Sequence, residues 1–273
     1  MVDMRLRAKC VLLLAAAPAL WAQFAPFTPP GVPKLADGSP NYEAAAPKTA
    51  DGKLDFSGVW APSRQGVMNS QEGQGVPRVP NRGAFWDLNT VVPGGLPYQP
   101  WAKELRDKRW ADAGKDNPDV GCFPLGILQD LTHNFPRRIV QSPAYMAILT
   151  ERNMAFRQIF MDGRPLPEDP NPAWNGYSTA RWDGAELVVE SNGFRDGIWA
   201  DYLGSPLSDQ AKLTERFRRP NFGTMEIDVT VNDPKAYTKP WTAKLTWQLV
   251  TATELMEYVC IENEKDFGHM RGK

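Results

Sequence analysis

The stretch Ser178-Thr-Ala-Arg-Trp-Asp-Gly-Ala-Glu-Leu-Val-Val-Glu-Ser191 decides the fold. Two runs of strand-forming residues flank Asp183-Gly184, a dipeptide that strongly favours a tight hairpin turn. This hairpin lies within the region from Ile139 to Glu262, where short alternating segments are separated by turn residues. The pattern predicts an all-β domain, an antiparallel up-and-down barrel of roughly eight to ten strands. Such a barrel either encloses a ligand or is packed solid, and the sequence leaves both open.

Further strands are predicted on both sides of this hairpin. Met225 to Val231 alternates between apolar and polar residues, which is typical of a strand with one face in water. A long irregular insertion, residues 61–136, follows the first strand and contains one predicted helix, Pro100 to Ala113. We expect this insertion to wrap the sheet or to form a lid over it. The other predicted strands are Leu54–Trp60, Arg138–Gln141, Tyr145–Thr150, Met154–Met161, Lys212–Arg218, Lys244–Val250 and Leu255–Ile261.

The two faces of the central hairpin differ in polarity. With Asp183-Gly184 as a two-residue turn, Arg181 lies opposite Glu186, and Tyr177 lies opposite Glu190. The other face is apolar and belongs in the core. The polar face is solvated by default, because exposed cross-strand charge pairs are ordinary; alternatively, it lines a polar lumen. The ligand-binding residues predicted for that alternative are Tyr177, Arg181, Glu186, Arg157 and Trp174.

The first residues predict export. Three basic residues precede the short apolar run from Val11 to Ala17, and a small-residue end follows at Ala22. We expect cleavage after Ala22, no membrane span in the mature chain, and a location in the periplasm or outside the cell. The predicted organisation is a signal peptide (1–22), a Pro- and Ala-rich linker (23–53), a barrel domain (54–264) and a tail (265–273).

Cleavage leaves two cysteines, Cys122 and Cys260, of the three in the full chain. Two thiols in an oxidising compartment predict one disulfide. Cleavage also removes three basic residues and one acidic residue, so the mature chain has 28 Lys and Arg against 31 Asp and Glu. This balance gives no electrostatic reason to expect a nucleic-acid or anionic-membrane partner. The sequence does not indicate the oligomeric state.

Catalytic and metal-binding patterns are sparse. Of the two histidines, His133 is the better candidate for a general base, and Glu190 and Asp162 are further acid–base candidates. Gly176 to Ala180 approaches the Gly-x-Ser-x-Gly pattern of a nucleophile elbow, but a strand follows where that motif needs a helix. Two histidines and two paired cysteines predict no metal site, and no motif predicts a cofactor.

Two short motifs resemble those of the calycins, the lipocalin and fatty-acid-binding β-barrels. Gly58-Val-Trp60 is similar to the lipocalin Gly-x-Trp, and Trp182-Asp-Gly184 followed by Leu187-Val-Val189 is similar to the hairpin of the fatty-acid-binding proteins. The resemblance implies a barrel that binds a small molecule. Longer segments resemble a widespread group of exported bacterial proteins of unassigned function, which implies export but no reaction. These segments are Arg181–Phe194, Leu213–Arg219 and Asn232–Trp241.

The expected function is therefore the binding of an apolar or aromatic small molecule by a secreted or periplasmic barrel. An enzyme in the same cavity is the first alternative, a hydrolase, isomerase or lyase that uses carboxylate or histidine chemistry. A structural or partner-binding module of the envelope is the second. The sequence does not identify the ligand.

Overall fold

The computed structural model describes residues 30–62, 87–133, 135–251, 253–262 and 265. The predicted signal peptide lies outside the described residues, as does most of the predicted tail. From residue 30 onward, the predicted linker forms turns and contacts the barrel. One such contact joins the Tyr42 hydroxyl to the Thr251 hydroxyl at 2.9 Å.

The described part of the chain is dominated by β-strands. Its two α-helices are α1 (Pro100–Ala111) and α2 (Ile127–Thr132), and short 3₁₀ helices occur at Leu88–Thr90, Pro118–Gly121 and Arg152–Met154. The strands are β1 (Gly58–Pro62), β2 (Arg137–Ser142), β3 (Tyr145–Thr150), β4 (Phe156–Phe160), β5 (Tyr177–Asp183), β6 (Glu186–Asn192), β7 (Ile198–Trp199), β8 (Pro206–Leu207), β9 (Lys212–Arg218), β10 (Thr224–Asn232) and β11 (Trp241–Leu249).

Nine of these strands form a closed barrel in the order β1-β11-β10-β9-β6-β5-β4-β3-β2, while β7 and β8 form a separate ribbon. The predicted all-β barrel and its strand number are confirmed. The prediction that every pair is antiparallel is wrong at one place, because β4 and β5 run parallel. A parallel pair needs a crossover connection, and the Pro-rich residues 161–176 carry the chain back along the barrel to provide it.

The central hairpin is present, with its turn one residue further along the chain than predicted. Gly184 and Ala185 form the turn, since Asp183 pairs with Glu186. Gly184 has a φ of +63°. Glycine at the first central position is what a type II′ hairpin turn requires. The predicted pairing of Arg181 with Glu186 is therefore wrong.

Both hairpin strands nevertheless keep their predicted faces. Trp182 lies opposite Leu187, and Tyr177 lies opposite Asn192 rather than Glu190. The pairing differs from the predicted one by an even number of residues, and side chains alternate with a period of two. The apolar side of the hairpin therefore faces the core, as predicted.

Alternating apolar residues from each strand fill the barrel. On β10, the inward positions Met225, Ile227, Val229 and Val231 are all fully buried, and the intervening residues face outward. This confirms the predicted strand with one wet face. Closure also gives every barrel strand two neighbours, so none of them lies at a free edge of the sheet.

Both ends of the barrel are covered. At one end Phe56 stacks on Trp182, with ring centroids 6.0 Å apart. At the other end α2 packs into the opening, and Trp247 Nε1 donates to the carbonyl of Leu131 at 2.9 Å. Within the described part of the insertion, α2 therefore helps to close this end of the barrel.

The prediction of a last strand from Leu255 to Ile261 is wrong. Residues 253–262 form no strand among the described residues. β11 already pairs with β10 and β1, so the closed barrel offers no edge for another strand. The segment instead ends in a disulfide between Cys260 and Cys122, whose Cα atoms are 5.7 Å apart. The predicted disulfide is confirmed.

Candidate functional site

The seam between β4 and β5 opens a cleft in the barrel wall. The two strands share one register pair, Phe160 with Thr179. Towards the start of each strand, at Phe156 and Tyr177, they diverge and leave a space of about 360 Å³. A cleft of this size, within the range of small-molecule sites, is the candidate functional site.

Two residues just before β5 set the contacts of this strand with its neighbours β4 and β6. Asn175 Nδ2 donates to the carbonyl of Phe156 across the seam at 3.0 Å. Gly176 has a φ of +55°, and a Cβ there would lie 2.4 Å from the carbonyl oxygen of Asn192. Only glycine combines this conformation with so close an approach. The Asn175 side chain therefore bridges β4 and β5 where they separate, and Gly176 lets the other side of β5 approach β6 closely.

A buried ion pair supports the floor of the cleft. Arg157 and Ser178 line the cleft. Nη1 of Arg157 donates to Glu215 Oε1 at 2.9 Å, and Nη2 donates to the other carboxylate oxygen. Arg157 is 6% exposed and Glu215 is 0% exposed. The two charges therefore compensate each other inside the barrel, as buried charges must.

Two serines complete this network. Nε of Arg157 donates to Ser178 Oγ at 3.3 Å, and Nη2 donates to Ser191 Oγ at 3.0 Å. The two serine oxygens lie 2.8 Å apart. The serines face each other across the β5–β6 pair, which fixes their separation.

Aromatic side chains form the walls of the cleft. Trp174 stacks on Phe123, with ring centroids 5.6 Å apart, and Phe160 stacks on Tyr177 at 5.2 Å. Phe156, also in the lining, is 63% exposed. Among the described residues, no carboxylate and no lysine lines this cleft. Its surface therefore suits a flat apolar ligand.

Three of the five predicted binding residues meet in this cleft. Arg157 lies at its floor, and Trp174 and Tyr177 lie in its walls. The Tyr177 side chain lies on the outer face of β5, where its hydroxyl accepts a hydrogen bond from Arg164 Nη1 at 3.1 Å. Their grouping depends on the open seam, which the sequence did not predict.

The other two predicted binding residues lie on the outer face of the barrel. Arg181 pairs with Glu190 at 2.9 Å, with side chains 59% and 46% exposed. Glu186 pairs with Arg216 and Arg218 of β9. The default prediction of a solvated polar face therefore holds for Arg181 and Glu186, and the alternative, in which they converge in a polar lumen, is wrong because the apolar face of the hairpin points inward.

The predicted acid–base residues do not belong to the lining of the cleft. His133 is buried at the end of α2, where its carbonyl accepts from Arg137 Nη2 at 2.6 Å. Asp162 bonds to Arg164, and this guanidinium holds the pKa of the Asp162 carboxyl below its usual range. Glu190 is held by its surface ion pair. A catalytic role for any of the three stays a prediction.

Glu215 is a site residue that the sequence analysis missed. It occupies the middle of Leu213-Thr-Glu-Arg-Phe217, and alternation places it on the same side as the two apolar ends. A charged residue at an inward position of a strand indicates a buried charge, which needs a partner of opposite charge. Arg157 shows the same pattern, because it lies two positions before the buried Ile159 and therefore on the same inward face of β4.

Asp130 is a second missed residue. It lies on α2, and its Oδ1 is shielded from solvent with no hydrogen-bond partner among the described residues. Burial raises the pKa of Asp130 to about 7, while the positive charges of Arg137 and Arg157 act in the opposite direction. A carboxyl that titrates near neutral pH thus lies close to the inner polar network.

The part of the chain that the structure describes contains no group of three or more histidine, cysteine, aspartate or glutamate side chains arranged to hold a metal ion. Within that part, no helix is long and apolar enough to cross a membrane. Comparisons of the chain with protein-family models, with curated proteins and with solved structures gave no match.

Proposed function

We propose that this protein binds a small apolar or aromatic molecule in the cleft between β4 and β5. One observation carries the proposal: a parallel seam with one register pair leaves about 360 Å³ of space between aromatic walls. Exposed aromatic surface in a concave site loses contact with water when a ligand enters, and this drives binding. Phe156 contributes the most exposed of these rings.

The chemistry of the floor favours binding over catalysis. In the described part of the chain, the Ser178 hydroxyl bonds to Arg157 and to Ser191. Neither partner is a general base, so the arrangement lacks what a serine nucleophile needs. Glu215 is engaged by Arg157 through both carboxylate oxygens. The alternatives from the sequence, a cavity enzyme and an envelope module, rest on fewer observations.

Export is part of the proposal. The sequence from Arg5 to Ala22 has the pattern of a signal peptide. A Cys122–Cys260 disulfide fits an oxidising compartment such as the periplasm. The resemblance of Gly58-Val-Trp60 to the lipocalin motif supports a carrier of the calycin kind, and a binding function agrees with it.

The proposal is tested with protein purified from its own host. Native mass spectrometry is expected to find a small molecule retained by the protein. Saturation-transfer NMR with ethylbenzene is expected to show binding, and Phe156→Ala is expected to weaken it by about tenfold, because the ring supplies much of the exposed apolar wall.

Val140→Ala is the matched control for this experiment. Val140 is 51% exposed on the outer face of β2, away from the seam, so its truncation removes exposed apolar surface of a similar kind. The control is expected to leave ethylbenzene binding unchanged. Equal effects of the two substitutions, or no binding and no retained molecule, would contradict the proposed function.

A further inference from the structure

The hydrogen-bond pattern at the floor of the cleft leaves one hydroxyl proton without an acceptor. The Nη2 group of Arg157 has two protons and three acceptors nearby: Glu215, Ser191 at 3.0 Å and Ser178 at 3.1 Å. Nε also reaches Ser178, at 3.3 Å. The two serine oxygens lie 2.8 Å apart, and either hydroxyl can donate to the other, so one of the two hydroxyl protons is used between them. Each atom in this scheme makes the bonds that its chemistry allows.

The remaining proton belongs to whichever serine does not donate to the other. A ligand acceptor in the cleft favours the arrangement in which Ser191 donates to Ser178, because the Ser178 oxygen then accepts from Arg157 and Ser191, and its own proton has no further acceptor among the described residues. Ser178 lines the cleft, whereas Ser191 does not. A buried donor without an acceptor costs free energy, and an acceptor atom on a ligand would recover it.

The floor also discriminates between neutral and charged ligands. Glu215 already neutralises Arg157, so an incoming carboxylate would gain little net attraction from this guanidinium. It would also lose its hydration on entering a cleft with aromatic walls. A neutral carbonyl oxygen accepts the Ser178 proton without that loss.

Resting on the proposed function, we infer that the ligand is an aromatic compound with a neutral carbonyl group, such as a ketone, ester or amide, whose oxygen accepts a hydrogen bond from Ser178. The ring packs between Phe156 and Trp174. Arg157 fixes the orientation of the serine hydroxyl and does not bind the ligand directly.

The test compares three probes of similar shape by isothermal titration calorimetry: acetophenone, ethylbenzene and benzoate. Wild type is expected to bind acetophenone about tenfold more tightly than ethylbenzene, the gain from one satisfied buried donor. Benzoate is expected to bind more weakly than acetophenone. Ser178→Ala is expected to abolish the preference for acetophenone over ethylbenzene. Ser191→Ala, the matched control in the same network, is expected to retain it.

The possible outcomes distinguish failure of this inference from failure of the proposed function. Equal affinity of wild type for acetophenone and ethylbenzene overturns the inference and leaves the proposed function intact. Tighter binding of benzoate overturns the neutral-carbonyl assignment. A preference that persists in Ser178→Ala overturns the role of this serine. Failure of all three probes to bind contradicts the proposed function itself.

A second measurement needs no variant, which matters if Ser178→Ala fails to fold. The infrared carbonyl stretch of acetophenone is expected to move to lower frequency when the ketone binds to wild type, because a hydrogen bond weakens the C=O bond. A bound ketone whose carbonyl stretch matches that in an apolar solvent would overturn the inference.

Discussion

Arg157 of β4 and Glu215 of β9 are joined by two side-chain hydrogen bonds across the barrel, although their strands are not neighbours in the sheet. Glu215→Gln removes the charge that compensates the buried guanidinium. We expect it to lower the free energy of unfolding by about 3–5 kcal/mol, as is usual when one partner of a buried pair is lost. Urea denaturation measures this change.

The double variant Arg157→Met/Glu215→Leu is the control. It replaces both charges with apolar groups of similar volume, so it leaves no buried charge unpaired. We expect it to be more stable than Glu215→Gln alone. A double variant that is less stable than the single one would contradict this account of the network.

A second prediction concerns the hairpin turn between β5 and β6. Gly184 has a φ of +63° with open space where a Cβ would lie, so Gly184→Ala introduces backbone strain without a clash. We expect a loss of about 1 kcal/mol in the free energy of unfolding. Gly176→Ala is expected to cost more, because its Cβ would also meet the Asn192 carbonyl at 2.4 Å.

Ala185→Ser serves as the control for the turn. Ala185 is the second turn residue and does not have a positive φ, so serine fits its backbone conformation. Its effect on urea melts is expected to lie within about 0.5 kcal/mol of wild type. A neutral Gly184→Ala would contradict the strain argument, and equal costs at Gly184 and Gly176 would contradict the role of close approach.

Strands were predictable where the evidence is local. Tyr145–Thr150 and Lys212–Arg218 have the predicted bounds, because alternation along a strand is visible in the sequence. The parallel seam at Phe160 and Thr179 was not predictable in this way. Whether the chain returns antiparallel or crosses over depends on the path of residues 161–176, which no local period encodes.

The candidate site was predicted in part, for a reason that turned out to be wrong. Arg157, Trp174 and Tyr177 were expected to meet in a lumen with the outer-face charges of the hairpin, and they meet in the cleft instead. Their proximity arises from the way the barrel closes. Glu215 could have been predicted from the sequence, because alternation places it on the same inward side of β9 as Leu213.

The Cys122–Cys260 disulfide gives a third prediction. It closes a sequence separation of 138 residues, which would stabilise the fold by about 4–5 kcal/mol in the chain-entropy model. Thiol titration of the exported and unfolded protein is expected to find no free thiol. Cys122→Ser is expected to expose one thiol, at Cys260, and to lower stability. Two thiols per exported wild-type chain would contradict the prediction.

Asp130 makes stability depend on pH. Its pKa is raised to about 7 in the folded protein, against 3.8 as the ordinary value, mainly by burial. Between these two values the folded state binds more protons than the unfolded state, so the free energy of unfolding falls as pH rises. Above pH 7 the full cost of a buried carboxylate is present, on the order of a few kcal/mol, since each pKa unit corresponds to about 1.4 kcal/mol. Asp130 as a whole residue is only partly buried, which reduces this cost.

Asp130→Asn removes this titration. Burial, which is the largest effect, and the charge of Asp119 both disfavour the charged form of Asp130, and burial outweighs the opposing effect of Arg137 and Arg157. We therefore expect Asp130→Asn to raise stability at pH 8, to change it little at pH 5, and to flatten the stability profile between them. Asp196→Asn, at a side chain that is 79% exposed, is the control and is expected to leave the profile unchanged. A variant that loses stability at pH 8 would show that the Asp130 carboxylate stabilises the folded barrel, contrary to the effect of its burial.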